Sequence, residues 1–164
     1  MSIPLIYISG KYRHWLASGH WDHEKMAAEE KAEERWGRII LLTGAMPFGP
    51  IRNSSYLQGA IPDAEFIERD LEIIGCFRPG LDMILMRPGW KTSEGAQREL
   101  AKAQECGLEV LYGIQGAEVV AEYLSAKVEG RLEELADALD VAEAEKRLGE
   151  PTVPFEQVKA DLGL

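Results

Sequence analysis

The chain has 164 residues, 46% hydrophobic and 28% charged, enough to bury a core as one domain with a small appendage. Its 18 Lys and Arg stand against 28 Asp and Glu; a net charge of −10 argues against a general nucleic-acid or anionic-membrane binder but leaves room for one local cationic pocket. No apolar run approaches the roughly 20 residues of a bilayer span, Ile3 to Ile8 is too short for a signal peptide and lacks a basic leader, and two scattered thiols, Cys76 and Cys106, suit a reducing cytoplasm.

Ile3-Pro-Leu-Ile-Tyr-Ile8 is a short apolar run ended by Ser9-Gly10, which predicts a first parallel strand. Lys11 to Trp21 is polar, aromatic and irregular and reads as a loop. Asp22 to Arg35 predicts a helix, with Ala28, Ala32 and Trp36 at four-residue spacing. Arg38-Ile-Ile-Leu-Leu-Thr43 reads as a second strand, and Gly44 to Gly59 as a long functional loop. Asp63 to Cys76 predicts a helix with Phe66, Ile67, Leu71 and Ile74 on one side, broken by Arg78-Pro79-Gly80. A third strand follows from Asp82 to Met86, then a Pro88-Gly89 turn and a helix from Glu94 to Cys106 with Ser93 as N-cap and Gly107 as its left-handed end. Leu108 to Tyr112 is the fourth strand. Strands alternating with helices predict an α/β fold of right-handed parallel units with helices on both faces.

Beyond Gly113 the pattern predicts two helices, Gln115 to Val128 and Arg131 to Leu148, separated by Gly130. Leu132, Leu135, Leu139 and Ala142 form a narrow apolar stripe in the second, which needs a covering surface in this domain, a second copy or another protein. Gly149 to Pro154 reads as a linker and Phe155 to Leu164 as a short amphipathic piece. The expected division is an α/β domain over 1–114 and a helical extension over 115–164.

The third strand and its following helix carry the chemistry. Ligands of open α/β sheets bind beyond the carboxyl ends of the strands. Helical side chains lean toward the N-terminus, so the Glu99 carboxylate is expected over Gly95 and Ala96, a seat for something flat. Ser93 and the free amides after it suit an anion. An ordinary capped helix with a surface Glu fits the same pattern. His14, His20 and His23 crowd the first loop with Asp22, but no second ligand pair follows, so no metal is expected. No phosphate-binding glycine motif or serine nucleophile elbow is present, and no cofactor is implied. Tyr7, Tyr12, Trp15 and Trp21 either line a base pocket or pack.

Three blocks occur in order: Ile6-Tyr-Ile-Ser-Gly10 leading to Arg13; Glu68-Arg-Asp70-Leu-Glu72; and Trp90-Lys-Thr-Ser93-Glu-Gly-Ala-Gln-Arg-Glu99, followed by Ala103 and Gly107. Together they resemble the nucleoside 2-deoxyribosyltransferase-like superfamily, including the deoxynucleoside 5′-monophosphate N-glycosidases, over roughly residues 3–113. The resemblance implies a flavodoxin-like or Rossmann-like three-layer sandwich with a parallel sheet of four or five strands, to which the pattern beyond Gly113 adds the C-terminal helical arm. It implies cleavage or exchange of an N-glycosidic bond, with Glu99 as nucleophile and Asp70 meeting the nucleobase and helping to protonate it. By itself, the Glu68-Arg69-Asp70 run also reads as a solvated helix face.

Ser93 occupies the position where the monophosphate glycosidases have Ser and the transferases acting on free nucleosides have Asp. With Gly10, Lys11 and Arg13 it points to a 5′-monophosphate. Tyr7, Trp90 and Gly95 complete the expected binding set, with Trp90 either stacking on the base or anchoring the turn. The interval from Asp70 to Asp82 is longer than in those glycosidases, and Pro88-Gly89-Trp90 is not their turn. The family also implies a homodimer. The last thirty or so residues resemble the acidic toxin-binding tails of RelB/Phd-type antitoxins. The competing function is therefore a noncatalytic nucleotide-binding or toxin-associated module on the same fold.

Overall fold

The computed structural model describes residues 3–57 and 60–148, with side chains described up to Gly130 and at Glu133 and Asp137. Four parallel strands form the sheet: β1 (Leu5–Ser9), β2 (Met46–Phe48), β3 (Met83–Met86) and β4 (Glu109–Tyr112), in the order β2-β1-β3-β4. Around it lie α1 (His23–Leu42), α2 (Pro50–Ser54), α3 (Asp63–Gly75), α4 (Glu94–Glu105) and α5 (Ala117–Leu148). This is an α/β sandwich of the flavodoxin- or Rossmann-like kind, as expected.

Two apolar layers follow from strand alternation. Ile6 and Ile8 point to one face, where Trp36 and Ile40 of α1 and Val120 and Leu124 of α5 cover them. Tyr7 points to the other, against Ile74 and Phe77 at the end of α3 and Ala96 and Ala103 of α4. All four residues of β3, Met83–Met86, are buried, as a central parallel strand covered on both faces requires.

The predicted second strand is a correction. Ile39 to Leu42 continues α1, because Ile40 repeats the buried face of Glu33 and Trp36 at helical spacing while Leu41 and Leu42 are exposed. Thr43 closes the helix, its Oγ1 donating to the Ile40 carbonyl at 2.7 Å, and Gly44 at φ 84° turns the chain. The strand comes four residues later, inside the predicted loop. A proline at its centre, Pro47, is tolerated because β2 pairs on one side only. The rest of that loop, as far as Leu57, holds α2 and a 3₁₀ turn, Ser55–Leu57.

The other correction is that one helix, α5, spans both predicted C-terminal helices. Gly130 lies within it, at the roughly 1 kcal/mol cost of a helical glycine. The described residues up to Val128 form one compact unit and those from Glu129 a second. The boundary falls beyond the expected 114/115 because Ala117, Val120, Tyr123, Leu124 and Val128 pack on the first core layer. The surroundings of Leu132, Leu135 and Leu139, the linker from Gly149 and the antitoxin-like end lie outside the described residues. No described helix is long and apolar enough to cross a membrane.

Candidate active site

A cleft of about 600 Å³ opens beyond the carboxyl ends of β1 and β3, within the roughly 300–1,000 Å³ of small-ligand sites. Four segments wall it, joined by Lys25 of α1. Gly10 to Trp15 form a lip after β1, α2 contributes Pro50, Ile51 and Ser54, and α3 contributes Asp63, Phe66, Ile67 and Asp70. Thr92 to Ala96 and Glu99 bring in the start of α4.

Glu99 lies on the buried stripe of α4 between Ala96 and Ala103, so the surface-Glu alternative is excluded: it is 7% exposed. Tyr7 and Ser9 are two apart on β1, hence on the same face, and their hydroxyls reach it together. Ser9 Oγ donates to Glu99 Oε2 at 2.5 Å and Tyr7 Oη to Oε1 at 3.1 Å, one donor per carboxylate oxygen. Burial pushes the Glu99 carboxyl up to about 7; the Ser9 hydrogen bond pulls the other way, and the charge of Asp70 adds to the rise. Burial likewise raises Asp70 to about 6. Two carboxyls that exchange protons near neutrality thus share the cleft.

The start of α4 forms the second feature. Ser93 Oγ accepts from the Ala96 amide at 3.3 Å, which leaves the hydroxyl proton free to donate. The amides of Glu94 and Gly95, in the first turn, have no partner within the helix and carry its positive dipole end. Lys11, Arg13, His14 and Lys25 bring positive or protonatable groups to the same cleft, against Asp63 and Glu94. Arg13 is held by Asp63 at 2.6 Å, across the mouth from lip to α3.

Seven of the nine expected site residues line this cleft: Gly10, Lys11, Arg13, Asp70, Ser93, Gly95 and Glu99. Two do not. Tyr7 is wholly buried, stacked on Phe48 at 5.6 Å, and serves the site by holding Glu99. Trp90 packs on Tyr112 at 6.2 Å and against the second core layer, which is the anchoring role of a residue after a Pro-Gly turn. Among the aromatics of the first loop, Trp15 pairs edge-on with Trp21 and Tyr12 donates to Glu30. Among the described residues no three potential ligands gather as a metal site; His14 bonds Glu29 at 3.0 Å.

Sequence reasoning overlooked Ser9, Glu33 and Arg87. Strand alternation from Tyr7 was the available signal for Ser9. Glu33 is 1% exposed in α1 and accepts the amides of Ile51 at 3.1 Å and Arg52 at 2.7 Å, capping α2 from another helix. No local pattern marks such a cap.

The family described as domain of unknown function DUF4406 matches residues 4–112, about two thirds of the chain. The chain belongs to the DUF4406 family. All four strands and every cleft-lining residue fall within the DUF4406 span. No curated protein matches the chain.

Proposed function

We propose that this DUF4406 protein cleaves or exchanges the N-glycosidic bond of a deoxynucleoside or its 5′-monophosphate, preferring the monophosphate. The observation that carries this reading is Glu99 on the cleft floor, fixed by one hydroxyl per oxygen, with the protonatable Asp70 in the same cleft. Such a pair suits an oxocarbenium-like transition state. Glu99 attacks C1′ as the C1′–N bond breaks, the bonding electrons pass to the base nitrogen, and Asp70 gives its proton to the base. A water or a second base then attacks C1′ and returns a proton to Asp70, and Glu99 departs. Phe66 and Ile67 supply apolar surface for a ring, with Ile67 3.7 Å from where a Gly95 side chain would begin.

Ser93 and the free amides of α4 support a phosphate at the 5′ end, and an entering phosphate would replace Asp63 on Arg13. Deoxynucleoside monophosphates should therefore exceed the free nucleosides in kcat/KM by at least about tenfold, in line with a single charge-assisted contact. Ser93→Asp should flatten or reverse that ratio by setting a charge against the phosphate. An unmodified protein that prefers free nucleosides would remove the phosphate from the proposal.

The decisive experiment is a screen of the deoxynucleosides and their monophosphates, reading free base by chromatography. Release establishes the glycosidase or transferase; tight binding without release selects the noncatalytic nucleotide-binding module. A cytoplasmic location and a homodimer belong to the same proposal. The free thiols Cys76 and Cys106 suit the former, and light scattering of the full chain tests the latter.

A further inference from the structure

Arg87 follows directly on β3 and is 2% exposed despite its charge. A buried guanidinium is tolerated only where partners hold it. Its Nη1 donates to the Glu29 carbonyl and to the Glu29 carboxylate, both at 3.1 Å, and its Nη2 donates to the Lys11 carbonyl at 3.1 Å. One side chain thereby joins the first residues of the lip to the second turn of α1, where the same Glu29 also bonds His14 of the lip.

The third surface of the guanidinium lies against Gly10. A Cβ on Gly10 would fall 2.4 Å from Nε, 2.5 Å from Nη2 and 2.7 Å from Cζ of Arg87, and these are its three nearest atoms. Gly10 does not have positive φ, so its backbone asks for no glycine. The guanidinium of Arg87 is what a side chain there would meet first. The Nε so placed has no hydrogen-bond partner among the described residues.

We propose that Arg87 is a positioning residue that latches the Gly10 to Trp15 lip over the cleft, and that Gly10 exists to admit its guanidinium. The lip carries Lys11, Arg13 and His14 into the cleft but has almost no regular structure of its own. Its tie across the mouth is the Arg13–Asp63 pair, whose side chains are 29% and 41% exposed. A ligand that displaces Asp63 breaks that tie, and the buried contacts of Arg87 then keep the lip in place. The part of this inference that concerns substrate rests on the glycosidase reading; the latch itself does not.

The test uses the full chain with Arg87→Lys, Arg87→Met, Gly10→Ala and the two double variants. Lys keeps the charge but cannot reach Glu29 and Lys11 together. Gly10→Ala should lower Tm by roughly 5 °C or more in the parent and by less than half of that beside Arg87→Met, since residues in contact are not additive. If Arg87→Met does not fold, the cycle is read with Arg87→Lys. Amide hydrogen exchange over residues 10–21 should quicken about tenfold in Arg87→Lys while α3 and α4 hold their protection. KM for a deoxynucleoside monophosphate should rise about tenfold with kcat within about threefold, because Glu99 is held by Tyr7 and Ser9 instead.

A merely structural arginine would lower Tm and leave KM and local exchange unmoved. Additive Tm losses, unchanged exchange in the lip, or a fall in kcat at constant KM would each overturn the latch. Faster exchange with unchanged KM would overturn its service to substrate. Should the unmodified protein release no base and bind no nucleotide, the glycosidase reading fails, while the Tm cycle and the exchange still decide the latch.

Discussion

Glu99→Gln should abolish base release, by at least about three orders of magnitude, while leaving the protein folded. The amide keeps the shape, accepting from one of the two hydroxyls through Oε1 and donating its Nε2–H to the oxygen of the other, but it cannot form the glycosyl ester. The same variant should be more stable than its parent at alkaline pH. The folded-state value of Glu99, about 7, lies above the 4.5 of a free carboxyl, so the fold holds this proton more tightly than the unfolded chain. The stability linked to that proton is full below 4.5 and is lost as pH rises through about 7. At pH 8 the parent carries a penalty of up to about 3 kcal/mol that Gln does not. Denaturant curves at pH 8 and near pH 4.5 should therefore diverge and converge respectively. Near-normal turnover in the variant would remove Glu99 from the chemistry, and equal stabilities at pH 8 would remove the buried proton.

Asp70→Asn should slow base release by roughly 10²- to 10⁴-fold, the usual worth of a positioned acid. Its effect on the pH profile is more specific. In the parent, kcat/KM should rise as Glu99 ionises toward about 7 and fall as Asp70 ionises above about 6, giving a narrow bell centred between them. The competent form, with Glu99 ionised and Asp70 protonated, is then one of the two arrangements of the single proton the pair holds between those values. Asn should erase the alkaline limb. It should also lower the value of Glu99 in a direct titration of the free protein, because the charge on Asp70 is one of the forces that raises it. Substrates whose base leaves easily should be least affected, since they need least protonation. A variant that keeps the bell would sink the assignment of Asp70 as the acid.

The local pattern was sufficient for much of this molecule. Apolar runs bounded by glycine and proline marked β1, β3 and β4, and Ser93 and Gly107 bracketed α4. These features depend on residues within a few positions of one another, where capping and backbone preference act directly. The spacing of Gly95, Ala96 and Glu99 likewise marked one wall of the cleft before any neighbour was known. Where a segment's partner decided its conformation, local pattern failed: Ile39 to Leu42 is apolar enough for a strand, and its place in α1 was settled by the core receiving Ile40. What only the tertiary structure decided is the electrostatics of the site. Ser9 and Tyr7 meet Glu99 across 90 and 92 residues, Arg87 reaches Lys11 across 76, and Glu33 caps a helix it does not belong to. Hydrogen bonds act over about 3 Å and burial over the depth of a packed core. A carboxyl raised to neutrality is therefore a property of neighbours brought together by the sheet order β2-β1-β3-β4, which no window along the chain contains.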